Sequence, residues 1–362
     1  MSISSRISRL AAIEGADHIL ILRTEDIRWL TGFTGGTAQL LLHRHDCRAT
    51  LFVDGRYVER AHAEIDRSGA PVDVHFISSG QVIDEVIASR VQKAEVAIDL
   101  QHITAARFEA LKDRVTLVGQ PTSLDLLRRV KDEAEIAVMA RAAAIADHAL
   151  QSVVADGIYG RTEKQVRNQL DVLMRENGAD DVGFDTIVAT GPNGARPHHE
   201  PSDATIENGH GVVIDFGAEL EGYRSDMTRT IRVGEWSAEY QHLYETVIEA
   251  QAAGVHAVTA GVQGLEVDAA VRSIFVREGL EHEYVHGTGH GIGLYIHEEP
   301  ILSPRCTEVL QVNEVVTVEP GLYRGGVGGV RIEDQVVVTG TECRILTLSP
   351  KELSCPRSPR TI

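Results

Sequence analysis

Cysteine is scarce. The 362-residue chain has four, Cys47, Cys306, Cys343 and Cys355, and no two form a CxxC pair. That argues against a disulfide framework and a zinc knuckle, and a reducing cytoplasm is the expected setting. Long apolar runs are missing too. Nothing approaches the roughly eighteen residues of a membrane span. The opening MSISSRISRLAAIEGADHILIL lacks the apolar core of a signal peptide, so no membrane partner is expected. Basic charge is in deficit: 35 Lys and Arg stand against 53 Asp and Glu, a formal net charge of −18. Such a surface disfavours nucleic acid and anionic membrane as partners. It leaves room for a site that gathers carboxylates around cations. Phosphate-loop signatures are absent as well. No GxGxxG occurs, and no Lys-Ser/Thr pair follows the glycines of LTGFTGGTAQ, which read as turn chemistry.

What is present points to two domains, the expectation for this length, with an ordinary globular apolar content of 43%. In the first third, HILILRT, QLLLH, ATLFVDG and AEVAIDL read as strands. SSRISRLAAIEGA, YVERAHAEID and SGQVIDEVIASRVQKA read as amphipathic helices. Strands alternating with helices suggest an α/β sheet with helical cover. After the polar stretch GQPTSLD the texture changes, which sets domains of 1–127 and 128–362. The segment 127–158 reads as one long alanine-rich helix, followed by a second, TEKQVRNQLDVLMRENGA. Strands follow, then two more helices and more strands, so a helix–helix–strand order occurs twice. The class is α+β.

Carboxylates recur where apolar strands end. Asp215 ends the apolar run GVVID, and Asp226 sits in the next strand. A hairpin turning around Leu220 and Glu221 would set the two opposite each other, with Cβ atoms about 5 Å apart. Two buried anions at that distance repel, and a cation between them reverses the sign. Glu319 and Glu333 repeat the pattern across the glycine-rich loop of VVTVEPGLYRGGVGGVRIED, with Arg331 on the same face as Glu333. The segment HGTGHGIGLYIHEEP adds three histidines, His286, His290 and His297. Four carboxylates and an imidazole form an oxygen-rich set that suits two divalent ions, Mn²⁺ foremost, with Co²⁺ or Zn²⁺ as alternatives. Two such ions can share a bridging hydroxide as nucleophile, with a neighbouring carboxylate as general base.

Together DFG…SDMTRT, HGTGHGIGLYIHEEP, EPGLY and GVRIED resemble the pita-bread dinuclear metallopeptidases, the family of methionine aminopeptidase, prolidase and aminopeptidase P. The resemblance spans roughly residues 128–350. It implies Asp215, Asp226, His290, Glu319 and Glu333 as metal ligands, with Asp226 and Glu333 bridging and Glu319 doubling as proton shuttle. It implies that His286 lines the pocket for the residue after the scissile bond and that His297 steadies the tetrahedral intermediate. In FDTIVATGPNGARPHHEPS, His198 matches a histidine that contacts substrate, while His199 and Glu200 read as loop residues. The glycines around His290 are expected to let the backbone turn close to the metals.

Three features resemble the proline-specific branch: the PNGARPH loop, Arg331 in GGVRIED, and an N-terminal region similar to the creatinase/prolidase type. The implied reaction is release of an N-terminal residue that precedes proline, by an Xaa-Pro aminopeptidase. Xaa-Pro dipeptidase is the alternative. The implied partners are proline-containing peptides, and the implied assembly is a homodimer. Arg196, where leucine is common, and Tyr295, where an acidic residue is frequent, depart from the pattern. A creatinase-type hydrolase and a non-catalytic binding homologue also share the fold, but the full ligand set speaks against both.

Overall fold

The computed structural model describes residues 3–119 and 123–355. Residues 120–122 of the GQPTSLD stretch lie outside that range. The chain divides into two compact units, Met1–Leu127 and Arg128–Ile362.

The first unit contains α1 (Ile3–Ala11), β1 (His18–Ile21), α2 (Thr24–Thr31), β2 (Gln39–His43), β3 (Arg48–Asp54), α3 (Val58–Ser68), β4 (Val72–Ile77), α4 (Ile83–Val91), β5 (Glu95–Ile98), α5 (Ala105–Lys112), β6 (Thr116–Gly119) and α6 (Ser123–Arg129). Its six strands form one sheet in the order β4-β3-β2-β1-β5-β6. The central β3-β2-β1 pairs are antiparallel and the outer pairs parallel. Leu20, Leu41, Phe52, Val96 and Ile98 of the sheet meet Ile87, Val91 and Leu111 of the helices in the core. The strand expected over HILILRT is shorter than the sequence suggests. Thr24 opens α2, with Glu25 and Asp26 in its first turn and Gly32 closing it at φ 77°. Acidic residues at the N-terminus and a left-handed glycine at the C-terminus are the physical reasons a helix begins and ends there.

The second unit contains α7 (Glu133–Asp156), α8 (Glu163–Glu176), β7 (Asp181–Val182), β8 (Ile187–Thr190), β9 (Gly211–Phe216), β10 (Ala218–Leu220), β11 (Tyr223–Arg224), β12 (Met227–Val233), α9 (Ala238–Ala257), α10 (Gly264–Arg277), β13 (Gly289–Gly291), β14 (Glu298–Leu302), β15 (Val315–Val318), β16 (Gly321–Arg324), β17 (Gly328–Arg331), β18 (Asp334–Val338), β19 (Cys343–Ile345) and β20 (Leu353–Cys355). The single helix expected over 127–158 is broken. The helix stops at Arg129, and Val130 instead forms a β-bridge to Glu314. A capping box then restarts the helix: Asp132 caps the backbone of Ala134 and Glu135, and Glu135 bonds back to Asp132. The D-x-x-E pattern that marks this start is readable in KDEAE.

Two helix pairs cover the sheets. Ala146, Leu150, Val166, Leu170 and Met174 of α7 and α8 pack on Val188, Ile214, Met227 and Ile231 of the β20-β12-β9-β8 sheet. Val258 and Val267, from the α9–α10 region, pack on Val316, Val318 and Val336 of the β14-β13-β15-β18-β19 sheet. Each fully buried side chain of this kind stabilises the fold by about 1.5–3 kcal/mol relative to exposure. The helix–helix–sheet unit thus occurs twice, and each half brings carboxylates to one cleft.

Candidate metal centre

The first carboxylate pair lies on the β9–β12 hairpin, but not in the expected register. Thr228 stands opposite Asp215 and Met227 opposite Phe216. The turn centres on Glu221 and Gly222, whose φ values of 49° and 77° are both positive. Two residues of positive φ make the turn whose twist matches flanking strands, and glycine takes the second position readily. The pairing is therefore displaced by two residues from the expectation. A two-residue shift keeps every side chain on its face, so Asp226 becomes a diagonal neighbour of Asp215. Gly217 falls opposite Asp226, where a Cβ would lie 1.8 Å from the Ser225 carbonyl oxygen. The second pair keeps the expected register. Val318 pairs with Asp334 and Gly321 with Arg331, so Glu319 and Glu333 face one another between the two ladders.

His290 sits at the middle of β13, hemmed between β14 and β15. The flanking glycines serve that approach. A Cβ on Gly289 would meet the Thr317 carbonyl at 2.0 Å, and one on Gly291 the Glu299 carbonyl at 2.2 Å. Neither glycine has positive φ, so close strand packing, and not turning, is what excludes other residues. The Nδ1 of His290 lies 2.9 Å from the Gly291 carbonyl. That contact places the proton on Nδ1 and turns Nε2 toward the carboxylates, 3.3 Å from Glu319 and 3.7 Å from Asp226.

The electrostatics are those of a set lacking enough positive charge. Burial, then Glu333, Asp215 and Glu319, push Asp226 well above the usual carboxylate range. Burial, then Glu319 and Asp215, do the same to Glu333. Asp215 is raised by burial even though Arg331 opposes it. Burial acts upward on Glu319 too, but the His290 imidazole outweighs it and holds this carboxyl at about 2. In turn Glu319 raises His290 against its own burial. Asp226, His290 and Glu333 offer ligand atoms within 4.8 Å of one another. Asp215 Oδ1 and Glu333 Oε1 are buried without a hydrogen-bond partner among the described residues. A buried orphan acceptor is costly, and two of them in one acidic cluster fit divalent cations.

These residues line a cleft of about 650 Å³, with His198, His286, His297 and Arg331 on its walls. All nine residues singled out in the sequence therefore come together. Arg196 and Tyr295, the two departures, are not among the lining residues. Arg331 is buried and donates to Asp215 at 2.6 Å, to Thr228 Oγ1 at 3.1 Å and to Tyr323 Oη at 2.9 Å. Tyr323 Oη lies 2.8 Å from His286 Nε2, while His286 Nδ1 lies 2.7 Å from the Gly287 carbonyl. The network thus makes Tyr323 the donor to a neutral His286, whose pKa burial lowers. The His297 ring meets His290 edge-on at 4.5 Å, and burial and His290 lower its pKa. Sequence reasoning missed two members. Thr228 donates to Glu333 at 2.7 Å, and its signal was the period of two that puts it on the Asp226 face. Tyr323 stood inside the quoted EPGLY, with nothing to show its partners. One reading needs completing, since His199 and Glu200 do lie in a loop, outside helix and strand. His198 is exposed, but His199 is buried and lies 2.8 Å from the buried Glu163, so it is an anchored loop residue.

Comparison with known proteins agrees with this geometry. Residues 137–340 match the model of metallopeptidase family M24, and residues 5–130 that of the creatinase/prolidase N-terminal domain. A protein of Pyrococcus horikoshii named Xaa-Pro dipeptidase is 40% identical over 340 residues, 93% of this chain and 94% of that one. A solved Xaa-Pro dipeptidase from Bacillus anthracis superposes with a TM-score of 0.91 at 36% identity, covering 98% of this chain and 99% of the other. An X-Pro aminopeptidase structure from Thermotoga maritima gives 0.87 at 33% identity, covering 97% and 99%. The likeness runs through both domains, and the chain belongs to metallopeptidase family M24: it is a metal-dependent peptidase with a creatinase/prolidase N-terminal domain.

Proposed function

We propose that the protein is an Xaa-Pro aminopeptidase using two divalent metal ions, manganese first among them, held by Asp215, Asp226, His290, Glu319 and Glu333. The carrying observation is the buried acidic cluster with two orphan acceptors at the base of a histidine-walled cleft. When bound, such ions supply the Lewis-acid chemistry of two-metal hydrolases. The side chains do the rest. Glu319, which lies on the cleft lining 3.3 Å from His290, takes a proton from the attacking water and returns it to the leaving nitrogen. His198 and His297 face the reacting carbonyl as hydrogen-bond donors, where charge develops. Arg331 and Tyr323 hold Asp215 and His286 in place.

Proline specificity has a physical rationale. The Xaa-Pro bond has no N–H, and the ring fixes φ. Proteases that bind substrate as an added strand lose a hydrogen bond there. A shaped pocket beside the metals removes the need for it. Relatives named Xaa-Pro dipeptidase and X-Pro aminopeptidase support the proline preference. The cleft favours the aminopeptidase reading. Among the described residues lining it, Arg331 is the only arginine or lysine, and Asp215 already engages it at 2.6 Å. A dipeptide carries its carboxylate on the proline itself and calls for a cation that is not already committed. The test is paired kinetics on Xaa-Pro, Xaa-Pro-Yaa and Xaa-Ala-Yaa, with Mn²⁺, Co²⁺ or Zn²⁺ added to stripped protein. The expected order is Xaa-Pro-Yaa above Xaa-Pro, with Xaa-Ala-Yaa poor in kcat as well as KM. Faster cleavage of the dipeptide makes the enzyme a dipeptidase. Equal kcat/KM for proline and alanine substrates removes the proline claim.

A further inference from the structure

Glu163 is fully buried at the first position of α8, outside the acidic cluster and absent from the cleft lining. Five hydrogen bonds converge on its carboxylate. Oε1 accepts from the Thr190 amide at 2.8 Å and from Asn193 Nδ2 at 3.0 Å. Oε2 accepts from the Ser202 amide at 2.8 Å, from Ser202 Oγ at 2.6 Å and from His199 Nε2 at 2.8 Å. The two oxygens thus serve different arms of one loop. Thr190 and Asn193 precede Pro197–His198, and His199 and Ser202 follow it. Burial acts to raise this carboxyl, but the Ser202, Thr190 and His199 bonds outweigh it and lower its pKa. The ionised form is the one that can accept from every donor. The loop end so fixed is functional ground. Arg331 reaches the Pro197 carbonyl at 3.4 Å, and His198 lines the cleft.

We propose that Glu163 is the positioning residue for His198, tying the two arms of the 190–202 loop so that the imidazole is presented to the reacting carbonyl. The proposal rests on the reading of His198 as a group that acts on substrate. Glu163 touches no substrate. Its effect passes through the loop. Glu163→Gln is the sharp probe because it is isosteric. Whichever way the glutamine turns, its NH₂ meets a backbone N–H, that of Thr190 or of Ser202, and one arm loses its acceptor.

The experiment has two arms. In metal-free full-length protein, hydrogen–deuterium exchange of E163Q should accelerate in peptides covering 186–205 and stay at the wild-type rate in peptides covering β15 and β18. No change over 186–205, or acceleration spread evenly over the second unit, overturns the proposal. In metal-loaded protein, E163Q should lower kcat by about 10- to 100-fold, with KM within about twofold and metal content unchanged. On an H198A background the same substitution should cost less than about twofold. A full effect in that background assigns Glu163 a general stabilising role and overturns the proposal. Should E163Q not fold, N193A removes one donor of the first arm and is expected to show the same local exchange and the same loss of effect with H198A. Absence of Xaa-Pro cleavage by the wild type fails the functional reading alone, since the exchange arm still decides whether Glu163 holds the loop.

Discussion

Glu333 and Asp334 are neighbours, each 1% exposed, and they live in opposite electrostatic worlds. Alternation along the strand sends them to opposite faces. Asp334 is met by Arg229 Nη2 at 2.8 Å, Gln251 Nε2 at 2.9 Å, Lys351 Nζ at 2.9 Å and Thr347 Oγ1 at 3.1 Å. Burial acts to raise it, but Arg229 and Lys351 outweigh this and hold it below the usual carboxylate range. Among the described residues Glu333 accepts from Thr228 alone and keeps one oxygen without a partner, and it is pushed well above that range. Burial of a carboxylate therefore does not mark a site. Burial without compensation does, because it leaves a charge deficit that only something outside the chain can fill.

The comparison breaks if the two residues answer alike to loss of charge. Glu333→Gln should abolish peptidase activity and lower retained metal, while the metal-free protein is at least as stable as wild type, because a repelling anion has gone. Asp334→Asn should leave the buried Arg229, with the half-buried Lys351 next to it, beside a neutral group and lower stability by about 3–5 kcal/mol. Metal analysis of the purified proteins and urea unfolding after chelation separate the two. Equal destabilisation would show that Glu333 is compensated within the fold after all.

His198 and His199 offer the same contrast at smaller size, one exposed in the cleft and the other buried on Glu163. His198→Ala, and likewise His297→Ala, should lower kcat by about 10²–10³-fold with metal content intact, the scale of losing one donor to a developing oxyanion. His199→Ala should instead lower stability by about 1–3 kcal/mol by leaving part of a buried carboxylate unmet. A stable His198→Ala enzyme with wild-type kcat would remove His198 from the reaction.

Cation binding sharpens the comparison from the other side. A ligand that binds only the folded state stabilises it by about 2.7 kcal/mol at a hundred times its Kd. Titrating Mn²⁺ into stripped protein should raise the melting temperature of the wild type and of Asp334→Asn, and far less that of Glu333→Gln. A shift of full size in Glu333→Gln would place the ions elsewhere.

Much of this was legible in the sequence, for reasons particular residues show. Carboxylates that end apolar runs are visible because each puts a charge where the run would otherwise continue, and Asp215, Glu319 and Glu333 all do so. The face shared by Asp215 and Asp226 survived a mistaken turn, since a displacement of two residues preserves side-chain direction. The turn itself was misplaced because Glu221 taking positive φ beside Gly222 competes with other centres a residue away. The break before α7 was encoded in the D-x-x-E of KDEAE but hidden under continuous helical periodicity. Buried His199 was not legible, because its burial depends on Glu163, 36 residues earlier. Charge compensation at Asp334 was equally hidden. Arg229, Gln251 and Lys351 come from three distant segments, and no local pattern announces their convergence.

Tyr323 offers the smallest expected effect and the finest cut. Its hydroxyl stands between Arg331 Nη1 at 2.9 Å and His286 Nε2 at 2.8 Å. Burial raises its pKa to about 12, so it stays a donor through the working range. Tyr323→Phe removes that link and nothing else of size. Arg331 keeps Asp215 and Thr228, so the charge balance around Asp215 survives. His286 keeps Gly287 but loses the bond that aims its second nitrogen. One such hydrogen bond contributes about 0.5–1.5 kcal/mol net, which is up to about tenfold in kcat/KM. The loss should fall more on Xaa-Pro-Yaa than on Xaa-Ala-Yaa, because His286 is assigned to the wall that meets the residue after the scissile bond. Metal content and the melting response to Mn²⁺ should match the wild type. An equal loss on both substrates would move His286 and Tyr323 from ring recognition to support of Asp215, through Arg331.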